Sequence, residues 1–499
     1  YDLLSGELKL LYIAPERFSS PSFLDLLRQV QINFFVIDEA HCVSEWGHEF
    51  REDYRKLHLL RENFPSIGIA AFTATATPKV QKDITMALRL NAPVEIRGKI
   101  FRENLHISVE PRIKDGKTQL MEFLKNFKGE SGIVYAFSRK QTESLAEYLQ
   151  KQGVKAKAFH AGLPNNVKEE TFKSFVHDET QVVVATIAFG MGIDKSNIRF
   201  VVHMSLPKTI ENYYQEIGRA GRDGLDSEVL LLYSGSDMMM QREFIEQLEE
   251  SPYKQNAFNK LEMIARYASA EECRHQYIAN YFEDELSVCE TKCDSCTLPQ
   301  GEKTDISIDA QKILSSVYRT GQRFGQSYVI DVLRGSSVEK ILDNGHDELS
   351  VYGIGKEHSK AYWERILERL MEIGALKRGE FRALMIDAVG MQILKKELKV
   401  EIKSERLNVK AKKEYVSHHD DTERDKDACE TRRGLRAQIA KEEGKPAYIV
   451  FGEKTLKEMA NALPQSKEEM LNMHGIGEVK YDRYGEAFLN LCIEIKNQS

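Results

Sequence analysis

An apolar run, Phe34-Phe35-Val36-Ile37, stops at two adjacent carboxylates, Asp38 and Glu39. So short a run reads as a buried strand. In a doubly wound sheet, ligands sit at the carboxyl ends of the strands. One acid placed there can hold magnesium through its water shell, and the next can polarise the water that attacks a γ-phosphate. The stretch continues through His41, Trp46, Phe50, Arg51 and Tyr54. Trp46, Phe50 and Tyr54 are four apart, a spacing that one face of a core helix shares. Gly47, His48, Glu49 and Arg51 fill the gaps, with Ser44 just before them, so an irregular loop with exposed rings is the competing reading. Exposed rings beside an arginine suit base stacking on single-stranded nucleic acid.

A chain of 499 residues is too long for one core, and roughly three to five domains are expected. With 42% hydrophobic and 29% charged residues it groups with globular proteins rather than with disordered or membrane-spanning chains. No apolar run approaches the length of a membrane span and no signal-peptide pattern opens the sequence. A cytoplasmic location without a membrane partner is therefore expected. The net charge of −7 does not advertise nucleic-acid binding, so local patches must carry any such role.

Residues 1–100 alternate strand and helix, with strands expected over 8–14, 32–38 and 67–72. The second of these ends in the two acids. The third runs into Thr73-Ala74-Thr75-Ala76-Thr77-Pro78, where Thr77 fits a helix N-cap with proline in the first turn. Residues 101–235 repeat the α/β pattern, with strands expected over 132–137, 154–159, 181–185, 198–203 and 228–233. Gly190 and Gly192, flanking Met191, would let backbone approach a phosphate or a neighbouring lobe closely. A phosphate-cradling G-x-x-x-x-G-K-[ST] loop does not occur in this sequence. Gly116-Lys117-Thr118 mimics its end, but Pro111 stands where the first glycine belongs.

Further along, Gln215-Glu216-Ile217-Gly218-Arg219-Ala220-Gly221-Arg222 puts two arginines three apart at a helix end. Residues 236–300 carry Cys273, Cys289, Cys293 and Cys296, spaced C-x15-C-x3-C-x2-C. Four thiolates in a loop-rich window can close a tetrahedral zinc shell, and free buried cysteines are the alternative. Residues 301–400 read as a small α/β domain with a hairpin over 376–385. Residues 401–430 read as a charged linker, in which His418, His419, Asp420 and Asp421 could also attract a metal. Residues 431–499 read as a compact helical unit. There Gly475 and Gly477 sit in a turn between helices whose amides can face a phosphate.

The run Asp38-Glu39-Ala40-His41-Cys42 to Tyr54 resembles the RecQ family of superfamily-two DNA helicases, and so does the order of everything after it. That resemblance implies two RecA-like lobes, the first incomplete, followed by a zinc-binding helical module, a winged helix and a small all-α HRDC domain. It implies an ATP-dependent helicase with 3′-to-5′ polarity, acting on single-stranded and forked DNA in recombination, repair and replication, with ATP, Mg2+ and Zn2+ as cofactors. Asp38 would place magnesium and Glu39 would be the general base. His41, Thr73 and Thr75 would couple the cleft to DNA, while Trp46, Phe50 and Arg51 would sense it. Gln215, Arg219 and Arg222 would complete the nucleotide site from the second lobe, with Arg222 as the finger and Arg219 as the supporting charge. Phe381, at the hairpin tip, would wedge against the terminal base pair of a fork. The family's zinc cysteines usually read C-x2-C-x2-C at their end, one residue shorter than here.

In the family the phosphate loop precedes the acidic box, and here it would lie before residue 1. The expectation is a truncated chain, with a catalytically inactive fork-binding fragment as the alternative. An RNA helicase is disfavoured, because the aromatic continuation and the four cysteines are untypical of those families. A single-strand-binding protein is a candidate partner, and nucleoid association is expected if the source is bacterial.

Overall fold

The computed structural model describes residues 2–47, 49–186, 189, 194–297, 303–379, 383–404 and 423–498. The chain divides into two units, Tyr1–Thr297 with Tyr415–Ser499, and Leu298–Glu414.

In the first unit, β1 (Phe34–Ile37) and β2 (Gly68–Ala71) pair in parallel, with Ile37 opposite Ala71. Helix α1 (Pro78–Ala87) follows β2. The Thr77 hydroxyl caps it by accepting the Val80 N–H, and Pro78 opens its first turn, as the sequence predicts. The strand expected over 8–14 does not form. Leu10 and Tyr12 are exposed, and no described strand pairs with the segment. Apolar content favours a strand, but only a hydrogen-bonding neighbour makes one.

The next lobe is a six-stranded sheet of β3 (Leu105–Pro111), β4 (Ser131–Tyr135), β5 (Ala156–Phe159), β6 (Val182–Ala185), β7 (Ile198–His203) and β8 (Ser227–Tyr233). Its order is β3-β8-β7-β4-β6-β5, and every pair is parallel. Both faces are covered. Ile133, Val183 and Val201 join one apolar cluster, and Val134, Val184 and Val202 join the other. The sequence reading missed β3, although Leu105, Ile107 and Val109 alternate there. Two helices matter for the site: α2 (Ile210–Ile217), after β7, and α3 (Pro252–Ser269), beyond β8.

Helix α3 packs Leu261, Ile264 and Tyr267 into the core that Ile107 and Val229 share. The cysteine module then closes the free edge of β3. The Ile107 N–H donates to the Lys292 carbonyl at 3.1 Å, and the Val109 N–H donates to the Asp294 carboxylate at 3.0 Å. An otherwise open edge strand is thereby protected.

The carboxy-terminal helices centre on Val450, Phe451, Met459, Met470 and Phe488. Their first helix, Glu423–Glu442, begins inside the stretch expected to be linker. That stretch lacks proline from 401 on and is rich in Lys, Glu and Arg, which favour helix once a partner stabilises it. Arg433 meets Glu130 of the parallel-sheet lobe at 2.6 Å and Glu453 at 2.5 Å. Arg436 lies 3.0 Å from Glu453 and 3.6 Å from Asp178, and Asp178 also binds Lys195.

The second unit packs Ser307–Arg319, Gln326–Leu333 and Lys360–Glu372 around Leu314, Ile330 and Trp363. A hairpin pairs Leu376–Arg378 with Leu384–Ile386, and Glu401–Lys403 pairs with Lys303–Asp305. Phe381, at the expected hairpin tip, lies outside the described residues. So do His48, Gly190, Met191, Gly192 and the His418–Asp421 cluster.

Candidate functional site

Asp38 and Glu39 leave the carboxyl end of β1, and Glu39 adopts a left-handed backbone (φ 48°). That region is uncommon for a residue with a side chain. It is held from both sides: the Ala40 N–H donates to the Phe72 carbonyl at 2.9 Å, and the Glu39 N–H donates to the Asp38 carboxylate at 2.9 Å. Glu39 Oε2 lies 3.3 Å from His41 Nδ1, and the same nitrogen lies 3.0 Å from Thr73 Oγ1. Thr73 Oγ1 in turn accepts the Thr75 N–H at 3.3 Å.

The relay does not stop at the lobe boundary. Gln215, on α2, donates from Nε2 to Thr75 Oγ1 at 3.0 Å. Burial raises the Glu39 pKa above its ordinary value, and the Asp38 and Glu49 carboxylates add to the rise. The Arg219 and Arg51 guanidinium groups pull it back. Arg219 is therefore close enough to feel the general-base candidate, which brings the carboxylate and guanidinium clusters to one cleft. Arg222 pairs with Asp194 at 3.2 Å. The arginine loop is pinned from behind, because the Gly221 carbonyl accepts from Arg102 Nη2 and from Asn104 Nδ2, each at 2.8 Å. Gly221 has φ 60°, and a Cβ there would fall 2.3 Å from Asn104 Nδ2. Only glycine fits that position.

The aromatic segment is a loop. A 3-10 turn over Ala40–Val43 gives way to irregular backbone, and helix resumes only at Glu52–Arg55. Trp46 and Arg51 are exposed, and Phe50 and Tyr54 are half-buried. The competing core-helix reading fails because the Arg51 N–H turns back to the Cys42 carbonyl (2.9 Å) and closes the loop. Two lysines that the sequence reading did not single out touch Trp46. Lys79 Nζ sits 3.0 Å from the centre of its ring, and Lys260 Nζ donates to its carbonyl oxygen at 2.8 Å. A lone lysine on an amphipathic helix carries no spacing signal, so only the fold could reveal either contact. Burial pushes the neighbouring Cys42 thiol up to about 12, which keeps it protonated and unreactive.

Cys273, Cys289, Cys293 and Cys296 bring their sulfurs within 4.8 Å of one another. A tetrahedral zinc–thiolate shell needs sulfurs about 3.8 Å apart, so a small closure accommodates the ion, and the extra residue before Cys293 does not prevent it. Asp294, next to the third cysteine, forms a buried pair with Arg274 Nε at 2.9 Å, next to the first. In the helical unit, Gly475 has φ 79°, and the His474 carbonyl accepts from Thr455 Oγ1 at 2.8 Å. Gly477 is the N-cap of a three-residue helix.

A carboxylate-ended strand and an arginine loop that meet through a threonine–glutamine contact, beside a loop carrying an exposed ring, define a two-lobed helicase motor. Residues 1–84 match the DEAD/DEAH box helicase family and 116–224 match the helicase conserved C-terminal domain. Residues 235–297 match the RecQ zinc-binding family, 300–411 the RQC domain and 433–492 the HRDC domain. The chain is 43% identical over 99% of its length to the ATP-dependent DNA helicase RecQ of Pasteurella multocida, of which it covers 78%. It is 42% identical to the Haemophilus influenzae RecQ over 99% of the chain, covering 80% of that protein. The Bacillus subtilis RecQ is 40% identical over 98% of the chain, with 81% of that protein covered.

The chain belongs to the RecQ family of ATP-dependent DNA helicases. Its cofactors are ATP, Mg2+ and Zn2+, and the four clustered cysteines are the residues that could hold the last. Among the described residues no helix is long and apolar enough to cross a membrane.

Proposed function

We propose that this chain couples ATP hydrolysis to 3′-to-5′ unwinding of forked DNA in recombination, repair and replication. The observation that carries the reading is the Gln215–Thr75 hydrogen bond, the last link of a relay from Glu39 through His41 and Thr73 to the second lobe. Asp38 is the residue to hold magnesium, which neutralises charge on the triphosphate when bound. Glu39 takes the proton from the attacking water, and its raised pKa suits a base working near neutral pH. Arg219 and Arg222 supply positive charge for the transferring phosphoryl group. The charge of Arg219 already acts on Glu39, while Arg222 pairs with Asp194. Trp46, Phe50 and Arg51 receive single-stranded DNA by stacking and phosphate contact.

Phe381 remains the candidate wedge at a fork, and the amides at Gly475 and Gly477 remain a candidate phosphate contact. Supporting expectations are a cytoplasmic, nucleoid-associated location if the source is bacterial and a single-strand-binding protein as partner.

The test is Glu39→Gln in the full-length protein. General-base loss should lower DNA-stimulated ATP hydrolysis by about 10²–10⁴-fold. A wild-type rate would remove Glu39 from its role. Stimulation by single-stranded DNA over RNA checks the substrate, and a wild-type chain that binds forks but hydrolyses no ATP would favour the inactive-fragment alternative.

A further inference from the structure

The motor reading leaves the buried cation of Lys260 without a task. Lys260, on α3 of the zinc-module side, is only 9% exposed at its side chain. Its ammonium group makes two directed contacts. It pairs with Glu211 Oε1 at 2.6 Å, and it donates to the backbone carbonyl of Trp46 at 2.8 Å. Glu211 is itself 3% exposed at its side chain and belongs to α2. One turn along the same face of α2 stands Gln215, which reaches Thr75, and just beyond the helix stands Arg219, whose charge Glu39 feels. Three segments far apart in sequence therefore meet at one ammonium: the aromatic loop, the helix carrying the nucleotide-site residues, and α3.

We infer that Lys260 is a positioning residue that transmits the state of the aromatic loop to α2, and so to Gln215 and Arg219. The inference rests on the proposal that the loop senses DNA, and the geometry gives it direction. Lys79 occupies the face of the Trp46 indole at 3.0 Å, so a base can stack there only by displacing that lysine or moving the loop. A moving loop takes the Trp46 carbonyl from Lys260. The ammonium then has only Glu211 to satisfy it, in a site too buried for water to substitute freely. The Lys260–Glu211 pair must readjust, and α2 with it. The contact ties the aromatic loop to the same ammonium that α2 binds through Glu211.

The experiment uses the full-length protein with Lys260→Met, the neutral-pair double variant Lys260→Met/Glu211→Gln, and Lys260→Arg. The double variant guards against misfolding, because it leaves no unpaired buried charge. Zinc content checks the module. Basal and oligo(dT)-stimulated ATPase rates give the coupling ratio. Intrinsic fluorescence reports the loop directly, because Trp46 is exposed and the other tryptophan, Trp363, is fully buried.

The expected result for the double variant is normal zinc content, a basal rate within about twofold of wild type, and DNA stimulation lowered by about tenfold, equivalent to about 1.4 kcal/mol. Its Trp46 signal should still change on DNA addition, and Lys260→Arg should recover most of the stimulation. Wild-type stimulation in the double variant overturns the inference, as does a parallel fall of basal and stimulated rates. Trp46→Ala separates the two levels. If it keeps full DNA stimulation, the sensor reading itself fails. If it loses stimulation while the Lys260 variants keep it, only the role of Lys260 fails.

Discussion

Glu39 shows how neighbours set the chemistry of one carboxylate. Burial, then Asp38, then Glu49 raise its pKa, and Arg219 and Arg51 restrain the rise. A base must be deprotonated to work, so the sign is clear: activity falls as pH drops through a value above the ordinary 4.5. The acidic limb of the DNA-stimulated ATPase profile should therefore lie above that value. Arg219→Gln should push the limb higher still, because it removes a charge that favours the carboxylate. A limb that stays in place in Arg219→Gln would mean that the guanidinium does not face Glu39 in the working enzyme.

Among elements, the cysteine module serves as more than a metal cage. Its backbone and Asp294 cap the edge of β3, so the sheet and the zinc site stabilise one another. Arg274 and Asp294 form a pair buried between the first and third cysteines. Arg274→Met should cost about 3–5 kcal/mol, because it strands a buried carboxylate. Urea unfolding of the zinc-loaded protein measures the loss. Chelation of the zinc should destabilise the same region, since binding such an ion contributes folding free energy directly. The alternation of Leu105, Ile107 and Val109 was present in the sequence, but the partner that covers the free edge of β3 lies nearly two hundred positions away, at Lys292 and Asp294.

For the whole molecule, charge fastens the carboxy-terminal helices to the parallel-sheet lobe. Arg433 bridges Glu453 and Glu130, and Arg436 bridges Glu453 and Asp178. Burial disfavours the Glu453 carboxylate, yet Arg436 and Arg433 outweigh it and hold the group down to about 2. A depressed carboxyl pKa stabilises the fold fully above the ordinary value of 4.5, and the contribution fades as pH falls toward about 2. Glu130→Lys should release the helical unit at neutral pH, because it sets two cations against each other. Small-angle scattering should then give a larger radius of gyration than wild type, and an unchanged radius would show that packing alone holds the unit.

The sequence by itself determined the kinds of chemistry present. Adjacent acids ending an apolar run, an arginine pair at a helix end and four clustered cysteines are local signals, because strand ends, helix ends and metal ligands are set by near neighbours. It also determined the central strands of the parallel sheet, since a strand buried on both faces, such as Val182–Ala185, is continuously apolar; the apolar run Phe34–Ile37, expected to be buried, instead leaves Phe34 and Val36 exposed. Tertiary structure decided what no local pattern encodes. Among the described residues it left 8–14 without a strand partner, chose loop over helix at Trp46, joined Gln215 to Thr75 across the lobes, and placed Lys260 against a loop more than two hundred residues earlier. Each of these depends on which distant group arrives within about 3 Å, the range in which hydrogen bonds and ion pairs act, and that is a property of packing rather than of spacing.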